Sequence, residues 1–429
     1  MYKTLIRPLE IEDAAISWKW RNDAKIWEFT GHRPDREITF EIENEWIQKV
    51  IKDETSKRFA ITVDDQYIGN IQLTDVTNSD AQMHLFIGEK SFWGKGIART
   101  SIYQLMHYAK EVLQLKEVYL FVKKTNLAGI KSYVKSAFVE VGKNDAEIKM
   151  VCNLENLPPP TVSIFSMVYK HENYIAEAIE GFLMQKCSFN TVIVLGEDNS
   201  PDRSREVINA YAQKYPGKFK LLYQDVNVGA HKNQEIILQN CSGKYIAICE
   251  GDDYWIDDMK LQTQVYFMEY NPDYAICFTD YKMYNQTTNT FEYTNLIEQY
   301  KEKSSFSRKD IVLDNFIPTL TCLFKNFPQN VQYLKKELFP GDWFIHILNS
   351  KNGKIKFLPM VSAVYRKHDG GACSSSNPIT NNLRYINSID VFRKQFSQDS
   401  SLQYWFFVSK TKIYMHSIKY KLKQILKPE

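Results

Sequence analysis

Residues 245–255, reading Tyr-Ile-Ala-Ile-Cys-Glu-Gly-Asp-Asp-Tyr-Trp, limit the fold of this chain more than any other stretch. An apolar run comes first, and a short run of this kind reads as a strand buried on both faces, as in a parallel sheet. It stops at Glu250, Gly251, Asp252 and Asp253, with Asp257 and Asp258 close behind. In open α/β sheets, ligands sit outside the carboxyl ends of the strands, which is where these acids fall. Carboxylates packed so closely repel unless a cation or a donor-rich ligand neutralises them. A divalent metal bridging to a diphosphate does this economically, because hard cations take oxygen ligands. An isolated Asp-Asp also reads as an acidic surface turn. The strand before it and Tyr254-Trp255 after it favour a ligand site.

The neighbouring segments extend the pattern. A buried strand is expected at 161–168, then a helix reaching Phe182, a strand at 191–195 ending on Gly196-Glu197-Asp198-Asn199-Ser200, and further strands at 221–224 and 245–249. This alternation predicts a parallel, nucleotide-binding sheet. Residues 313–325 read as a strand or loop, and Pro340-Gly341-Asp342-Trp343 opens a helix. Asp342 reads as a helix cap, a role Asp fills well.

With these motifs in this order, about residues 161–370 resemble the inverting family 2 glycosyltransferases of GT-A fold. The resemblance implies that Val168 and Tyr169 pack the nucleotide base and that Asp198 bonds it. Asn227 and Gly229 would lie near the nucleotide, and Asp252 would contact ribose or metal. It makes Asp253 the principal metal ligand and Asp342 the base that takes the acceptor hydroxyl's proton. Residues 364–371 resemble the family's closing loop, where His368 completes the metal shell and Arg366 lies over the diphosphate. Glu250 stands where the family often has a first Asp, a departure. The donor implied is a UDP- or dTDP-sugar with Mn²⁺ or Mg²⁺.

The first 155 residues follow another rhythm. Strands are expected at 3–7, 59–63, 67–75, 82–87 and 117–122, helices at 12–22 and about 40–52, and a further helix after Gly96 through about Tyr108. Gly94-Lys95-Gly96-Ile97-Ala98 is a glycine-rich turn between strand and helix. Such a turn aims successive N–H groups at one anion at the positive end of the helix dipole. The segment resembles the acetyl-CoA loop of the GNAT acetyltransferases, with Ser91 at the place of the usual Gln or Arg. Asn126 and Tyr133 match the GNAT segment in which an Asn contacts the cofactor and a Tyr protonates the departing thiolate. Tyr133 reads equally as a core aromatic of an amphipathic helix. His84 and Glu28 are the candidates for the base that an amine acceptor needs. Residues 18–23, Trp-Lys-Trp-Arg-Asn-Asp, resemble the Trp-Arg-Asn segment of a GNAT branch acting on ribosomal proteins and on nucleotide-linked amino sugars.

Pro158, Pro159 and Pro160 favour an extended spacer and so a domain boundary. The expected fold class is α/β: a GNAT α+β domain (1–155), a GT-A nucleotide-binding α/β domain (161–375) and a helical C-terminal extension (376–429). With 54 basic and 51 acidic residues, the chain lacks the basic excess of a nucleic-acid binder. Its seven scattered cysteines form no CxxC pair and read as reduced and buried. No signal-peptide core and no long apolar run is present, so a cytoplasmic protein is expected. The last twenty residues interleave Lys410, Lys412, Lys419, Lys421, Lys423 and Lys427 with Ile413, Tyr414, Ile418, Tyr420, Leu422 and Ile425. A basic amphipathic helix of this kind either meets the inner face of the plasma membrane or packs on its own domain behind a lysine-rich outer face.

Together these readings predict a bifunctional bacterial enzyme of surface-glycan biosynthesis, such as O-antigen or capsule. It would use acetyl-CoA to acetylate an amino sugar and transfer a sugar to a glycan or lipid-linked acceptor. The alternatives keep the transferase and make the N-terminal half a protein N-acetyltransferase or a non-catalytic binding module.

Overall fold

The computed structural model describes residues 1–29, 34–334, 341–368 and 378–425. Its contacts define two compact units: Met1–Thr161 with Lys186–Ile193 and Ile208–Lys220, and Val162–Gln185 with Val194–Val207 and Leu221–Glu429.

The N-terminal sheet holds β1 (Thr4–Pro8), β2 (Lys57–Val63), β3 (Gln66–Thr74), β4 (Asp80–Ile87), β5 (Glu117–Lys123), β6 (Val139–Lys143) and β7 (Glu147–Asn153). Their order is β1-β2-β3-β4-β5-β7-β6, antiparallel at every join except between β4 and β5. The helices are α1 (Ala14–Arg21), α2 (Ala24–Trp27), α3 (Phe40–Val50), α4 (Ile97–Glu111) and α5 (Leu127–Lys135). Asp64 and Asp65 both adopt positive φ, 48° and 67°, as the tight hairpin between β2 and β3 requires. Alternation along β2 sends Phe59, Ile61 and Val63 into a core shared with Ile102, Leu105 and Met106 of α4. Ala60 and Tyr67 join the opposite core with Trp20, Ile47 and Val50 of α1 and α3. Burying one such Ile or Leu is worth roughly 1.5–3 kcal/mol, so both layers are well anchored.

The second sheet holds β8 (Val162–Val168), β9 (Thr191–Glu197), β10 (Phe219–Tyr223), β11 (Tyr245–Ile248), β12 (Tyr254–Trp255), β13 (Tyr274–Asn285), β14 (Thr290–Tyr293), β15 (Leu323–Lys325) and β16 (Lys354–Lys367). The order is β10-β9-β8-β11-β15-β13-β16-β12, with β14 paired to β13. Helices α6 (Ile175–Leu183), α7 (Ser204–Lys214), α8 (Ala230–Asn240), α9 (Lys260–Tyr270), α10 (Leu296–Tyr300), α11 (Arg308–Leu313) and α12 (Gly341–Asn349) connect them, and α13 (Pro378–Gln395) and α14 (Ser400–Ile425) follow.

Residues 313–325, expected as strand or loop, leave α11 at Leu313, pass a 3-10 turn at Thr319–Thr321 and become strand at Leu323. Two expectations need correction here. The sheet is mixed: β8 and β11 run parallel, but β15 enters antiparallel between β11 and β13. Val364 to Lys367 are the end of β16, laddered against β13 with Arg366 opposite Tyr284, where a loop was expected. His368 lies just beyond, and 369–371 fall outside the described residues.

Candidate active sites

In the second sheet, β11 ends by aiming its acids at one point. Glu250, Asp252 and Asp253 each offer a carboxylate oxygen, all within 4.8 Å of one another. Glycine is required between them: a Cβ on Gly251 would stand 2.8 Å from His171 Nδ1 and 2.9 Å from Val168 Cγ2. Burial, then the charges of Asp252 and Asp342, pushes Glu250 up to about 8. Asp253 is raised well above the usual range by burial and then by Asp252. Asp252 goes the other way. Burial opposes its ionisation, but the hydrogen bond with His368 and the proximity of His171 outweigh it. The His368 ring Nε2 stands 3.1 Å from Asp252 Oδ2, and His171 Nε2 stands 3.8 Å from the same oxygen. The other oxygen of Asp252, Oδ1, is buried without a hydrogen-bond partner. Three converging carboxylates, two held toward neutrality, and one orphaned oxygen fit a divalent cation, the species that removes all three penalties.

Arg366 braces this cluster. Its backbone N–H donates to Asp253 Oδ1 at 2.8 Å and its Nε to the Asp252 carbonyl at 3.0 Å. The remaining guanidinium nitrogens bond Gln286 at 2.9 Å and Glu177. Tyr174, Tyr254 and Tyr284 surround it, 5.1–5.6 Å from ring centre to guanidinium carbon. The side chain is 6% exposed, and each of its three nitrogens makes a hydrogen bond within the domain. The ladder position that fixes it, opposite Tyr284, explains why.

Asp198 is also engaged. Val228 and Gly229 donate to its two oxygens at 2.8 and 3.0 Å, and its own N–H donates to the Val168 carbonyl at 3.0 Å. The carboxylate thus ties the end of β9 to the Asn227–Gly229 turn that opens α8, and a base N–H would share an acceptor already in use. Gly229 has φ +83°, conformational ground for a glycine in that turn. Val168 is buried, Tyr169 is 41% exposed, and Asn227 is exposed.

Asp342 sits in the first turn of α12, where the helix dipole favours a carboxylate. Thr319 donates its hydroxyl to Oδ2, and the Trp343 N–H donates to Oδ1 at 2.7 Å. One turn on, His346 is buried and kept neutral, its pKa pushed down to about 4 by burial. His171, Glu177 and Tyr174 were not anticipated, although His171 stands in a polar segment directly after a buried strand, where a ligand residue belongs.

In the N-terminal sheet, β4 and β5 ladder only at Asp80–Glu117, Ala81–Val118 and Gln82–Tyr119. Both strands continue, to Ile87 and Lys123, so a wedge opens between them beyond Gln82. Gly94 and Gly96 follow with φ of +75° and +81°, and a Cβ on either would meet nothing within 4 Å. Their conformation demands glycine, and the space around them is free. Gly96 caps α4, and Lys95 is exposed; Ile97 is buried in the core, so only its backbone can face a ligand, and Ala98 is half-buried. Asn126 caps α5, its Oδ1 accepting from Gly129 N–H at 2.8 Å. Burial pushes the Tyr133 phenol up to about 12, so it holds its proton at neutral pH.

The candidate bases fare differently. His84 is exposed beside Thr74 Oγ1 at 2.9 Å. Glu28 offers its backbone carbonyl to Lys123 at 2.9 Å. The Trp18–Asp23 segment packs: Trp20 is buried, Arg21 pairs with Glu43 at 3.0 Å, and Asn22 pins residue 38. Arg58, which sequence reading passed over, bonds Gln72 at 2.5 Å and Ser56 at 3.2 Å rather than a carboxylate, and lies 5.4 Å from the Trp46 ring.

Comparison with known proteins matches residues 163–366 to glycosyl transferase family 2 and residues 3–139 to the acetyltransferase (GNAT) domain. A protein of Mycobacterium tuberculosis described as uncharacterized is 32% identical over 224 residues, 50% of this chain and 61% of the relative. A putative teichuronic acid biosynthesis glycosyltransferase of Bacillus subtilis, TuaG, is 29% identical over 127 residues, 30% of this chain and 49% of that protein. The chain thus spans about half to three fifths of the length of these relatives. Among solved structures, a spermidine N-acetyltransferase from Vibrio cholerae in complex with CoA and spermine is 24% identical, with a TM-score of 0.33, covering 36% of this chain and 96% of that one. The N-acetyltransferase PseH of Campylobacter jejuni is 19% identical, with a TM-score of 0.29, covering 35% and 97%.

Proposed function

We propose, from the matches of residues 3–139 to the acetyltransferase (GNAT) domain and of residues 163–366 to glycosyl transferase family 2, that the chain N-acetylates an amino sugar and transfers a sugar in bacterial surface-polysaccharide assembly. The observation that carries the transferase half is the cluster of Glu250, Asp252 and Asp253 with Asp342 close enough to raise Glu250. Relatives from teichuronic acid biosynthesis support the setting.

In this reading Glu250, Asp252 and Asp253 hold a divalent cation with His368 beside them. The cation, when bound, supplies positive charge for the diphosphate of a nucleotide-sugar donor. Asp342 takes the proton of the acceptor hydroxyl as its oxygen attacks the anomeric carbon, and the bond from that carbon to the diphosphate oxygen breaks on the opposite face, releasing the nucleoside diphosphate with inversion. Thr319 and the Trp343 amide hold the carboxylate in one orientation, which an in-line attack needs. Arg366 is a positioning residue, fixing Asp252 and Asp253 through its backbone and Nε.

In the N-terminal domain the amides at Gly94–Ala98 receive the pyrophosphate of acetyl-CoA at the start of α4. Tyr133, protonated at neutral pH, gives its proton to the departing thiolate.

The test is Asp342→Asn, which keeps shape and removes the base. Turnover should fall about 10²- to 10⁴-fold, with donor affinity within about twofold of wild type. Weakened donor binding with unchanged turnover would assign Asp342 to structure instead.

A further inference from the structure

Helix α14 has two unlike faces. Leu402, Phe406 and Ser409 are buried, with Phe406 5.9 Å from Phe392 of α13, and Lys410 is tied to Asp390 at 2.6 Å. On the other side Tyr404, Phe407, Tyr414, Met415 and Ile418 are 46–60% exposed. Their three- and four-residue spacing puts them on one stripe, opposite the packed face. The same spacing runs on in the sequence at Leu422 and Ile425. A packed helix does not need an apolar outer stripe, and contiguous exposed apolar surface marks an interaction site.

Charge selects the occupant. From Ser400 to Ile425 the chain carries Lys410, Lys412, Lys419, Lys421 and Lys423, and no Asp or Glu. A second copy of the chain would set one acid-free, lysine-bearing helix against another, a repulsive pairing. A surface that is apolar below and anionic above matches both properties. Lysine stems cover apolar surface while their ammonium groups reach headgroups. We propose that α14 lies in the headgroup region of an anionic bilayer, with Tyr404, Phe407, Tyr414 and Ile418 turned toward the acyl chains and the basic character of the segment, beyond the Lys410–Asp390 and Lys412–Asp314 pairs, favouring lipid phosphates. The chain then docks by a helix that lies on the membrane; no described helix is long and apolar enough to cross one. This goes beyond the transferase reading and is measured without turnover, so either can fail alone.

The experiment is sedimentation of the full chain with vesicles of phosphatidylcholine containing phosphatidylglycerol, against vesicles of phosphatidylcholine alone. The wild type should bind the first set, with binding weakened by added salt. Lys412→Gln should reduce partitioning about fivefold. The double variant Phe407→Asp, Ile418→Asp should reduce it about tenfold or more, with an unchanged melting midpoint because both side chains are exposed. Three results overturn the proposal: no binding of wild type to anionic vesicles, equal binding by the double variant, or a solution dimer that the double variant dissociates while vesicles stay unbound.

Discussion

Glu250 is the residue whose chemistry reports the site most directly. Its proton is held more tightly in the fold than in the unfolded chain, with a pKa of about 8 against an ordinary 4.5. A raised acid gives its stabilisation in full below the unfolded value and loses it as pH rises through the folded one. The metal-free protein should therefore lose thermal stability between about pH 4.5 and pH 8. A divalent cation competes with that proton, so manganese should raise the melting midpoint more at pH 8 than at pH 5. At 100 times its dissociation constant, a ligand adds ~2.7 kcal/mol to the fold it binds. Glu250→Gln should lessen the pH dependence of the metal-free protein without abolishing it, because Asp253 is raised too. A melting midpoint that manganese raises as much in Glu250→Gln as in the wild type at pH 8 removes Glu250 from the metal set.

At the level of elements, the turn from β4 into α4 is the part of the N-terminal domain that substitution can separate from everything else. Gly96 has φ +81° in open space, so a valine there is strained by its backbone without crowding a neighbour. Left-handed backbone costs an L-residue roughly 1–2 kcal/mol, and the turn relaxes to escape it. Gly96→Val should raise KM for acetyl-CoA about tenfold, ~1.4 kcal/mol, and leave sugar transfer unchanged. An unchanged KM in a folded variant removes the cradle. This turn was legible in the sequence because glycine has few reasons to recur at that spacing. So was the strand before Glu250, where an apolar run meets acids. The two long strands β13 and β16 were not. β13 is buried from Ala275 to Asp280 and half exposed beyond, so no single period describes it. The end of β16 looked like a loop for a related reason. Tyr365, Arg366 and Lys367 are polar or amphipathic, yet Arg366 is buried because Glu177, Gln286 and the Asp252 carbonyl satisfy its donors. Partners from distant segments cannot be read from local composition.

For the molecule as a whole, the proposed function carries an expectation about the order of its two chemistries. Acetylation needs a neutral amine. A nucleotide-linked amino sugar diffuses freely to an acetyl-CoA site before transfer, whereas after transfer its amine is carried on a glycan or lipid-linked acceptor. Sequential action, acetylation first, is therefore the expected order. Tethering raises the local concentration of the first product for the second site, a modest gain when the product diffuses freely. The measurement is to supply an unacetylated UDP-amino sugar and a lipid-linked acceptor, with and without acetyl-CoA, and to follow products by mass. Transfer should be at least about tenfold faster with acetyl-CoA, with the acetylated nucleotide sugar appearing before the acetylated glycan. Asp253→Ala should then accumulate acetylated nucleotide sugar and make no glycan. Efficient transfer of the free amine, at a rate and to a product that acetyl-CoA does not change, would defeat the sequential scheme, and a glycan acetylated only after transfer would reverse its order.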